Sequence, residues 1–359
     1  MTGSEMRNVL HVLPHPGGGG ETYVDALSKL DIYRAERVYL APSTSPFQAA
    51  PVLVPNAIGA HLKATRMQVV HAHGEIAAAF LLPALGRMPS VVTLHGLHFL
   101  RRARGARYRL AKLNLRAISA RAGRVICVSQ SEFEDVASFL PAQAMERFVV
   151  IPNGVVVPPL PTAPDREATR AELGLPPDVA VALYVGKLDD VKEPLVAVRA
   201  TVDACRHGAR LVLLVAGDGP LRSAVQAEGG EHVRVLGFRR DVGRLHSVAD
   251  VFVLPSRREG LSYALLEAMA YGATPVVTDI PCNVEAVGKR GVVLPAGDVA
   301  AFAGALARLV EDPDTLDLLG TQARERVERE FREDVMLAQT GAEYDAVVEE
   351  RGRRRREPS

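Results

Sequence analysis

The sequence predicts an α/β protein of two consecutive domains, each with helices on both faces of a parallel sheet. Its 359 residues exceed the usual size of one hydrophobic core. Twelve short runs rich in Val, Ile and Leu alternate with helical segments along the chain. These runs are apolar throughout rather than at every second residue, which indicates strands buried on both faces. A proline-rich segment divides them into two sets of six, so each set predicts one doubly wound domain.

The first set of runs predicts a domain at residues 1–158. Its six strands are expected at 7–13, 36–41, 67–73, 90–95, 124–129 and 147–152. The segment 155–165 is rich in proline, which removes backbone donors and disfavours helix. We therefore expect an extended linker there.

The second set predicts a domain at residues 159–335. Its six strands are expected at 179–186, 210–219, 232–237, 249–255, 274–279 and 291–295. A helix at 336–350 is expected to return to the first domain, and the basic tail at 351–359 is expected to be a disordered end. Two open sheets joined by a linker would form a cleft at the carboxyl ends of their strands, so a site is expected in the loops that follow strands.

Composition excludes several classes of function. Forty-three Lys and Arg residues nearly balance 42 Asp and Glu residues, so net charge gives no argument for a nucleic-acid partner. Cys127, Cys205 and Cys282 lie far apart without a CxxC pair, which argues against disulfides or a thiolate zinc site and favours a reducing cytoplasm. No apolar run reaches the roughly eighteen residues that span a bilayer. We expect a cytoplasmic protein that at most attaches to a membrane surface.

A glycine run follows the first predicted strand. Gly17 to Gly20 lead into a helix expected to begin near Glu21. Consecutive glycines allow a substrate to come close, and a helix N-terminus attracts an anion. The spacing does not match the GxGxxG fingerprint of dinucleotide sites. A mobile surface turn is the alternative interpretation.

Histidines follow the next strands of the first domain. His71 and His73 share one face of a strand, a spacing that can ligate a metal, but no third ligand is visible in the sequence and we predict no metal site. His95 is the better site candidate, because the Gly96 that follows it lets a substrate approach. An imidazole that merely bonds a loop carbonyl is the alternative.

Two lysines and two glutamates follow strands of the second domain. Lys187 comes directly after a strand and Lys192 lies five residues later, and two ammonium groups there can neutralise a diphosphate. Glu259 precedes, and Glu267 lies inside, a helix predicted over 261–271. The N-terminus of this helix can hold phosphates, and the carboxylates can accept hydrogen bonds from hydroxyls. Solvated surface side chains remain the alternative.

The context of the two glutamates carries a family resemblance. EGLSYALLE matches an E-x7-E motif, and the glycine loop, VVHAHG, VVTLHG, IPNG, VGKL, AGDGP and VLGF occur in the order of one family. On these motifs the chain resembles the family 4 glycosyltransferases with the GT-B fold, over nearly its whole length. The resemblance implies two Rossmann-like domains facing each other across a cleft, and transfer of a sugar from a nucleotide diphosphate sugar with retention at the anomeric carbon.

The resemblance also implies roles for individual residues. Glu259 is similar to the glutamate that contacts donor-sugar hydroxyls, and Glu267 to the one that binds the nucleotide ribose. Glu259 and His95, which matches a histidine near the transferred sugar, are the implied catalytic residues. Lys187 and Lys192 match an Arg and a Lys that hold the diphosphate. The remaining implied donor contacts are Gly18, Gly19, Gly260, Leu261, Ser262 and, near the base, Phe238.

Four features depart from the family pattern. Val155 and Val156 follow IPNG without the usual Asp, and DIPCNVE at 279–285 lacks the common paired glycines. Lys187 stands where the family usually has Arg, so a bidentate phosphate contact becomes a point charge. Lys192 is followed by Glu193 rather than by the usual Gly.

The implied activity is that of a hexosyltransferase-type enzyme that needs neither a metal nor a cofactor. Its partners would be the nucleotide sugar and an unidentified lipid-linked or polysaccharide acceptor, in cell-envelope, glycolipid or polysaccharide biosynthesis. A nucleotide-sugar epimerase or hydrolase of the same architecture is one alternative. A non-catalytic nucleotide-sugar-binding protein is another.

A basic segment of the first domain suggests a further partner. Between Glu75 and Glu132 the sequence has ten Lys or Arg residues and no acidic residue. Arg109, Lys112 and Arg116 recur at helical spacing with leucines beside them. A basic amphipathic helix fits an anionic membrane surface or a phosphorylated acceptor. A solvated basic helix is the alternative. If the helix binds an anionic membrane surface, we expect the protein to lie peripherally on the inner face of the membrane.

Overall fold

The computed structural model describes residues 7–42 and 50–356. Within these residues, twelve strands form two six-stranded sheets, and each predicted strand overlaps an observed one. The first sheet contains β1 Arg7–Leu13, β2 Tyr33–Tyr39, β3 Val69–His73, β4 Ser90–Thr93, β5 Arg124–Cys127 and β6 Phe148–Val150. The second contains β7 Ala180–Val185, β8 Leu211–Ala216, β9 Val233–Gly237, β10 Val251–Leu254, β11 Thr274–Thr278 and β12 Val292–Leu294.

Helices connect the strands in both halves of the chain. The first half contains α1 Gly19–Leu27, α2 Ala50–Ala64, α3 Gly74–Phe80, α4 Leu82–Leu85, α5 His98–Arg102, α6 Ala106–Arg121, α7 Gln130–Ala137 and α8 Ala142–Met145. The second half contains α9 Ala163–Glu172, α10 Pro194–Arg206, α11 Arg222–Gly229, a 3₁₀ turn Gly230–His232, α12 Val242–His246, α13 Tyr263–Ala270, α14 Pro281–Val287, α15 Val299–Glu311, α16 Pro313–Glu330 and α17 Glu333–Arg356.

The order of the strands determines where each sheet can bind a ligand. The first sheet has the order β2-β1-β3-β4-β5-β6, and the second has β12-β11-β10-β7-β8-β9, with parallel pairing throughout. The direction of winding therefore reverses between β1 and β3 in one sheet and between β7 and β10 in the other. In open α/β sheets the loops diverge at such a switch point, and ligands bind there at the carboxyl ends of the strands.

Each sheet has its own hydrophobic core. Fully buried side chains such as Leu10 and Val92 pack in the first, and Leu213 and Val253 pack in the second. Burying one aliphatic side chain of this size stabilises a fold by about 1.5–3 kcal/mol. Because the strands are covered on both faces, a ligand can reach each sheet only at the ends of its strands.

The chain divides into two compact units. Unit 1 comprises Met1–Gly154 with Glu333–Ser359, and unit 2 comprises Val155–Arg332, against predicted boundaries at 158 and 335. The last helix, α17, bonds unit 1 through Lys29 Nζ to Glu333 Oε2 at 2.7 Å and through Tyr344 Oη to His71 Nδ1 at 2.6 Å.

Two local expectations were wrong. The predicted linker 155–165 ends early, since α9 begins at Ala163, and Thr162 caps it by accepting the Asp165 N–H. The basic tail continues α17 to Arg356 instead of being disordered, and the rest of the tail, 357–359, lies outside the described residues.

Candidate functional site

Two loops meet at the switch point of the second sheet. One follows β7 and carries Lys187 and Lys192, and the other follows β10 and carries Glu259. In these adjacent loops Lys192 Nζ lies 2.5 Å from Glu259 Oε2. The Glu259 side chain is 6% exposed and that of Lys192 is 28% exposed, so the structure joins two of the predicted donor residues in a largely buried ion pair.

Asp189 shapes the loop after β7. Its Oδ1 accepts the backbone N–H groups of Val191 at 3.0 Å and Lys192 at 3.1 Å, which turns the chain so that Lys192 points towards Glu259. Lys187 is half exposed and lies 3.5 Å from Asp189 Oδ2 rather than beside either predicted glutamate. The sequence did not single out Asp189.

Two glycines of the AGDGP motif support the same loop. A Cβ on Gly217 would lie 1.8 Å from the carbonyl oxygen of Gly186, and one on Gly219 would lie 2.4 Å from that of Leu188. Both glycines also have φ near +155°, a conformation that side chains rarely allow. These glycines therefore allow the loops after β7 and β8 to pack backbone against backbone.

The departure at Glu193 has a structural account. Glu193 has φ 47° and ψ 50°, the left-handed region that glycine adopts most easily, at the position where the family has Gly. Its carboxylate lies 2.6 Å from Arg257 Nη2, in the loop after β10. An ion pair thus accompanies the less favourable backbone conformation.

The helix after Glu259 is shorter than expected. α13 begins at Tyr263 rather than 261, and Ser262 caps it by accepting the Leu265 N–H at 3.4 Å. The stretch from Glu259 to Ser262 is therefore loop, and the helical rise does not describe the whole interval to Glu267. Leu261 is buried, so within the predicted contact at 260–262 a donor would meet backbone rather than that side chain.

Glu267 lies inside α13 with its side chain 34% exposed. Its Oε2 is 3.7 Å from Nε2 of His246, which is buried and stacks on Tyr271 at 5.7 Å between ring centroids. His246 comes from α12 and was not predicted. Phe238, directly after β9, is 73% exposed, so its ring has a face open to an aromatic ligand.

The glycine loop of unit 1 opens α1 two residues earlier than predicted, at Gly19. Gly17 and Gly18 have φ of 85° and 79°, and a Cβ on either would meet no atom within 4 Å. The Glu21 carboxylate accepts hydrogen bonds from the Gly17 N–H and the Tyr39 hydroxyl, each at 2.6 Å. The bond from Tyr39 is the main reason that the pKa of Glu21 is lowered. The loop is thus tied at its base and open at its tip.

Three histidines of unit 1 form a hydrogen-bonded row. His11 Nδ1 lies 3.0 Å from His73 Nε2, and His73 Nδ1 lies 3.0 Å from His95 Nε2. The ring of Tyr23, from α1, meets that of His95 edge-on at 5.0 Å. His95 therefore bonds another imidazole, not the loop carbonyl of the alternative interpretation. His11 was missed because it is a single polar residue within an apolar strand.

Burial keeps this cluster uncharged at neutral pH. It lowers the pKa of His11 and of His95 to about 3, and it lowers the pKa values of His71 and His73 well below their usual value. The ligand atoms of His11, His71 and His73 lie within 4.8 Å of one another, so His11 is the third histidine that the HxH pair lacked in the sequence. His71 bonds the Thr93 hydroxyl at 2.7 Å and the Tyr344 hydroxyl at 2.6 Å, and a metal would have to displace one of these bonds.

Comparison with known proteins identifies the family. Residues 10–157 match the family model "Glycosyltransferase Family 4", and residues 165–326 match "Glycosyl transferases group 1". The alpha-maltose-1-phosphate synthase of Mycolicibacterium smegmatis is 32% identical over 294 residues, which are 73% of this chain and 75% of that protein. The chain belongs to glycosyltransferase family 4.

Other members of the family differ in length and named activity. A D-inositol 3-phosphate glycosyltransferase of Kineococcus radiotolerans is 30% identical over 51% of this chain and 48% of that protein. This family 4 chain thus spans about half the length of the first curated relatives that it matches. A UDP-Gal:alpha-D-GlcNAc-diphosphoundecaprenol alpha-1,3-galactosyltransferase of Escherichia coli is 28% identical over 75% of this chain and 73% of that protein.

Solved structures confirm the GT-B prediction for this family 4 protein. A sucrose-phosphate synthase from Thermosynechococcus elongatus has a TM-score of 0.78 at 20% identity, over 94% of this chain and 98% of that one. Anabaena HepE in complex with UDP-glucose has a TM-score of 0.78 at 19% identity, with the same coverage. Among the helices of residues 7–42 and 50–356, none is long and apolar enough to cross a membrane.

Proposed function

We propose that this family 4 chain transfers a sugar from a nucleotide diphosphate sugar to an acceptor hydroxyl, with retention at the anomeric carbon. The observation that carries the proposal is the Lys192–Glu259 ion pair, which lies before the N-terminus of α13 at the switch point of the second sheet. A cation and a helix N-terminus favour a diphosphate, and a buried carboxylate can orient sugar hydroxyls.

The donor would extend along the residues of unit 2. Lys187 and Lys192, with backbone N–H groups of 260–262, would hold the diphosphate. Glu259 would accept hydrogen bonds from the sugar hydroxyls and Glu267 from the ribose hydroxyls. The exposed ring of Phe238 is available for stacking on the base. HepE, a protein of the same fold, is known in complex with UDP-glucose, which makes a uridine nucleotide the first donor to test.

The reaction breaks the bond between the anomeric carbon and the diphosphate oxygen. The acceptor oxygen forms its bond on the same face of the sugar, and the acceptor proton passes to the departing phosphate oxygen. Positive charge develops on the ring and negative charge on the diphosphate, so Lys192 and the α13 N-terminus stabilise the leaving group. We propose that these groups supply the charge that a metal supplies in other transferases, and that no cofactor takes part.

The acceptor is proposed to be lipid-linked or a polysaccharide. The relative from Escherichia coli is named for a diphosphoundecaprenol-linked acceptor. In α6, Leu110 and Leu113 are 58% and 60% exposed and stand beside the exposed Arg109 and Arg116, while Lys112 packs over the Phe139 ring at 4.7 Å. Exposed leucines among arginines favour an anionic membrane surface, where we propose that the protein works peripherally from the cytoplasmic side.

A thermal-shift panel of nucleotide sugars tests the donor. A ligand present at about 100 times its Kd stabilises a protein by about 2.7 kcal/mol, so one donor class should stand out in the wild type and lose its effect in Glu267→Ala. Analysis of the products then separates three activities. Transfer with an unchanged anomeric configuration supports the proposal, whereas consumption without an acceptor indicates an epimerase or hydrolase, and binding without turnover indicates a non-catalytic protein.

Vesicle co-sedimentation tests the membrane. Binding to phosphatidylglycerol vesicles should exceed binding to phosphatidylcholine vesicles and should fall in Leu113→Glu. Leu318→Glu is the matched control, since Leu318 is 55% exposed but lies on α16 of unit 2. Equal binding of the wild type to both lipids would contradict the proposal that the protein works on an anionic membrane surface.

A further inference from the structure

The loop that carries His95 has an unusual backbone. His95, Gly96 and Leu97 have φ of 58°, 108° and 50°, so three consecutive residues are left-handed and two of them are not glycine. Residues with side chains adopt this region rarely and remain in it when the surrounding structure holds them there. The loop therefore requires a fixed anchor.

Glu132, on α7, supplies that anchor. One carboxylate oxygen accepts the N–H of Gly96, at the centre of the left-handed segment, and the other accepts the N–H of Val128 at 2.7 Å. The carboxylate thus joins the loop after β4 to the end of β5. Glu132 is completely buried, and burial raises its pKa to about 7.

A second buried carboxylate holds the far end of the same loop. Glu75, on α3, accepts the N–H groups of Phe99 at 2.8 Å and Leu100 at 3.3 Å. These residues lie in the first turn of α5, which starts directly after the left-handed segment. The loop is therefore fixed on both sides by groups that come from other elements.

The ring of His95 is fixed separately from its backbone. Its Nε2 bonds His73 Nδ1, and His73 Nε2 bonds His11 Nδ1. In a row of neutral imidazoles each shared hydrogen bond contains one proton, so the protonated nitrogen of one ring dictates that of the next. The row fixes the orientation of the His95 ring and couples its tautomer to those of His73 and His11.

We propose that Glu132 is a positioning residue for His95, because its carboxylate holds the left-handed loop in the geometry that presents the ring to the sugar. Burying a carboxylate costs desolvation free energy, and buried ionisable groups of this kind are concentrated at functional sites. The inference rests on the proposed function for the role of His95, whereas the backbone anchor itself does not depend on it.

The test compares Glu132→Gln with Glu134→Gln in the full chain. Gln keeps the size of the side chain but turns an amide NH₂ towards one of the two N–H donors. Glu134 is exposed two residues away on the same helix, so its replacement is the matched control. Hydrogen exchange of the Gly96 amide and the ¹⁵N resonances of His95 in histidine-labelled protein report on the loop without any substrate.

In Glu132→Gln we expect Gly96 to exchange at least about tenfold faster and the His95 resonances to move, with neither change in Glu134→Gln. Release of UDP from UDP-glucose should fall about 10²-fold, because a small displacement of a reacting group has that effect, while the Kd for UDP stays within about twofold. Gly96 exchange and His95 resonances like those of the wild type would overturn the anchor. Wild-type turnover in Glu132→Gln would overturn the positioning role but leave the proposed function. A wild type that neither binds nor consumes any nucleotide sugar of the thermal-shift panel would remove the proposed function alone.

Discussion

Removing the Lys192 ammonium should destabilise unit 2 more than removing the Glu259 carboxylate to which it is bonded. Lys192→Ala leaves a carboxylate whose side chain is 6% exposed without its cation. Breaking a fully buried pair in this way costs about 3–5 kcal/mol. Because Lys192 is itself 28% exposed, water can reach the vacated position, so we expect a smaller loss of about 2–3 kcal/mol. Glu259→Ala leaves an ammonium that can turn towards water and should cost about 1–2 kcal/mol.

Urea unfolding followed by circular dichroism measures this difference, since the chain contains no Trp for fluorescence. Lys187→Ala is the control, because Lys187 is 51% exposed and 3.5 Å from Asp189, and its loss should cost at most about 0.5 kcal/mol. The reasoning fails if Glu259→Ala is as destabilising as Lys192→Ala. It fails equally if Lys192→Ala is no more destabilising than Lys187→Ala.

Three further predictions concern the backbone and the histidine row. The free energy of unfolding of Glu193→Gly should be about 1 kcal/mol higher than that of Glu193→Ala. Both variants lose the ion pair, but only Gly adopts the φ of 47° without strain. Equal stability of the two variants would contradict this. Gly320→Ala should lower the thermal midpoint and reduce the free energy of unfolding by about 2 kcal/mol or more, since its Cβ would lie 2.1 Å from the Gly272 carbonyl oxygen. Gly59→Ala is the control, because a Cβ there meets no atom within 4 Å and should stabilise α2 by about 0.5–1 kcal/mol. The folded-state pKa of His11, about 3, lies below its unfolded value, so its contribution to stability is lost as pH falls below about 6.5. Between pH 6 and pH 5 the free energy of unfolding should therefore fall by about 1 kcal/mol less in His11→Gln than in the wild type. The same pH dependence in both proteins would refute the assignment.

The strands were predictable because burial on both faces makes them apolar throughout. The main shift is in β2, observed at Tyr33–Tyr39 against 36–41, since this edge strand is only partly buried and begins with the polar sequence YRAER. The basic tail was predicted to be disordered because it is a charged chain end, and neither property excludes the helical conformation that α17 continues there.

The site was predictable as motifs but not as contacts. The Lys192–Glu259 bond depends on β7 and β10 being neighbours, and strand order cannot be read from local sequence. The sequence around Glu132 shows only the capping-box spacing from Ser129, and Ser129 does cap α7. The Glu132 carboxylate instead reaches Gly96, which is 36 residues away in the sequence.

Binding of UDP by isothermal titration calorimetry tests the central claim, a nucleotide diphosphate held by unit 2, most directly. The wild type, Glu267→Ala and Glu325→Ala should be compared, since Glu325 is an exposed acid of the same unit. The account predicts a Kd at least about tenfold weaker in Glu267→Ala, a loss of about 1.4 kcal/mol, and an unchanged Kd in Glu325→Ala. Equal affinity of all three proteins for UDP would contradict the assignment of Glu267 and the donor site built around it.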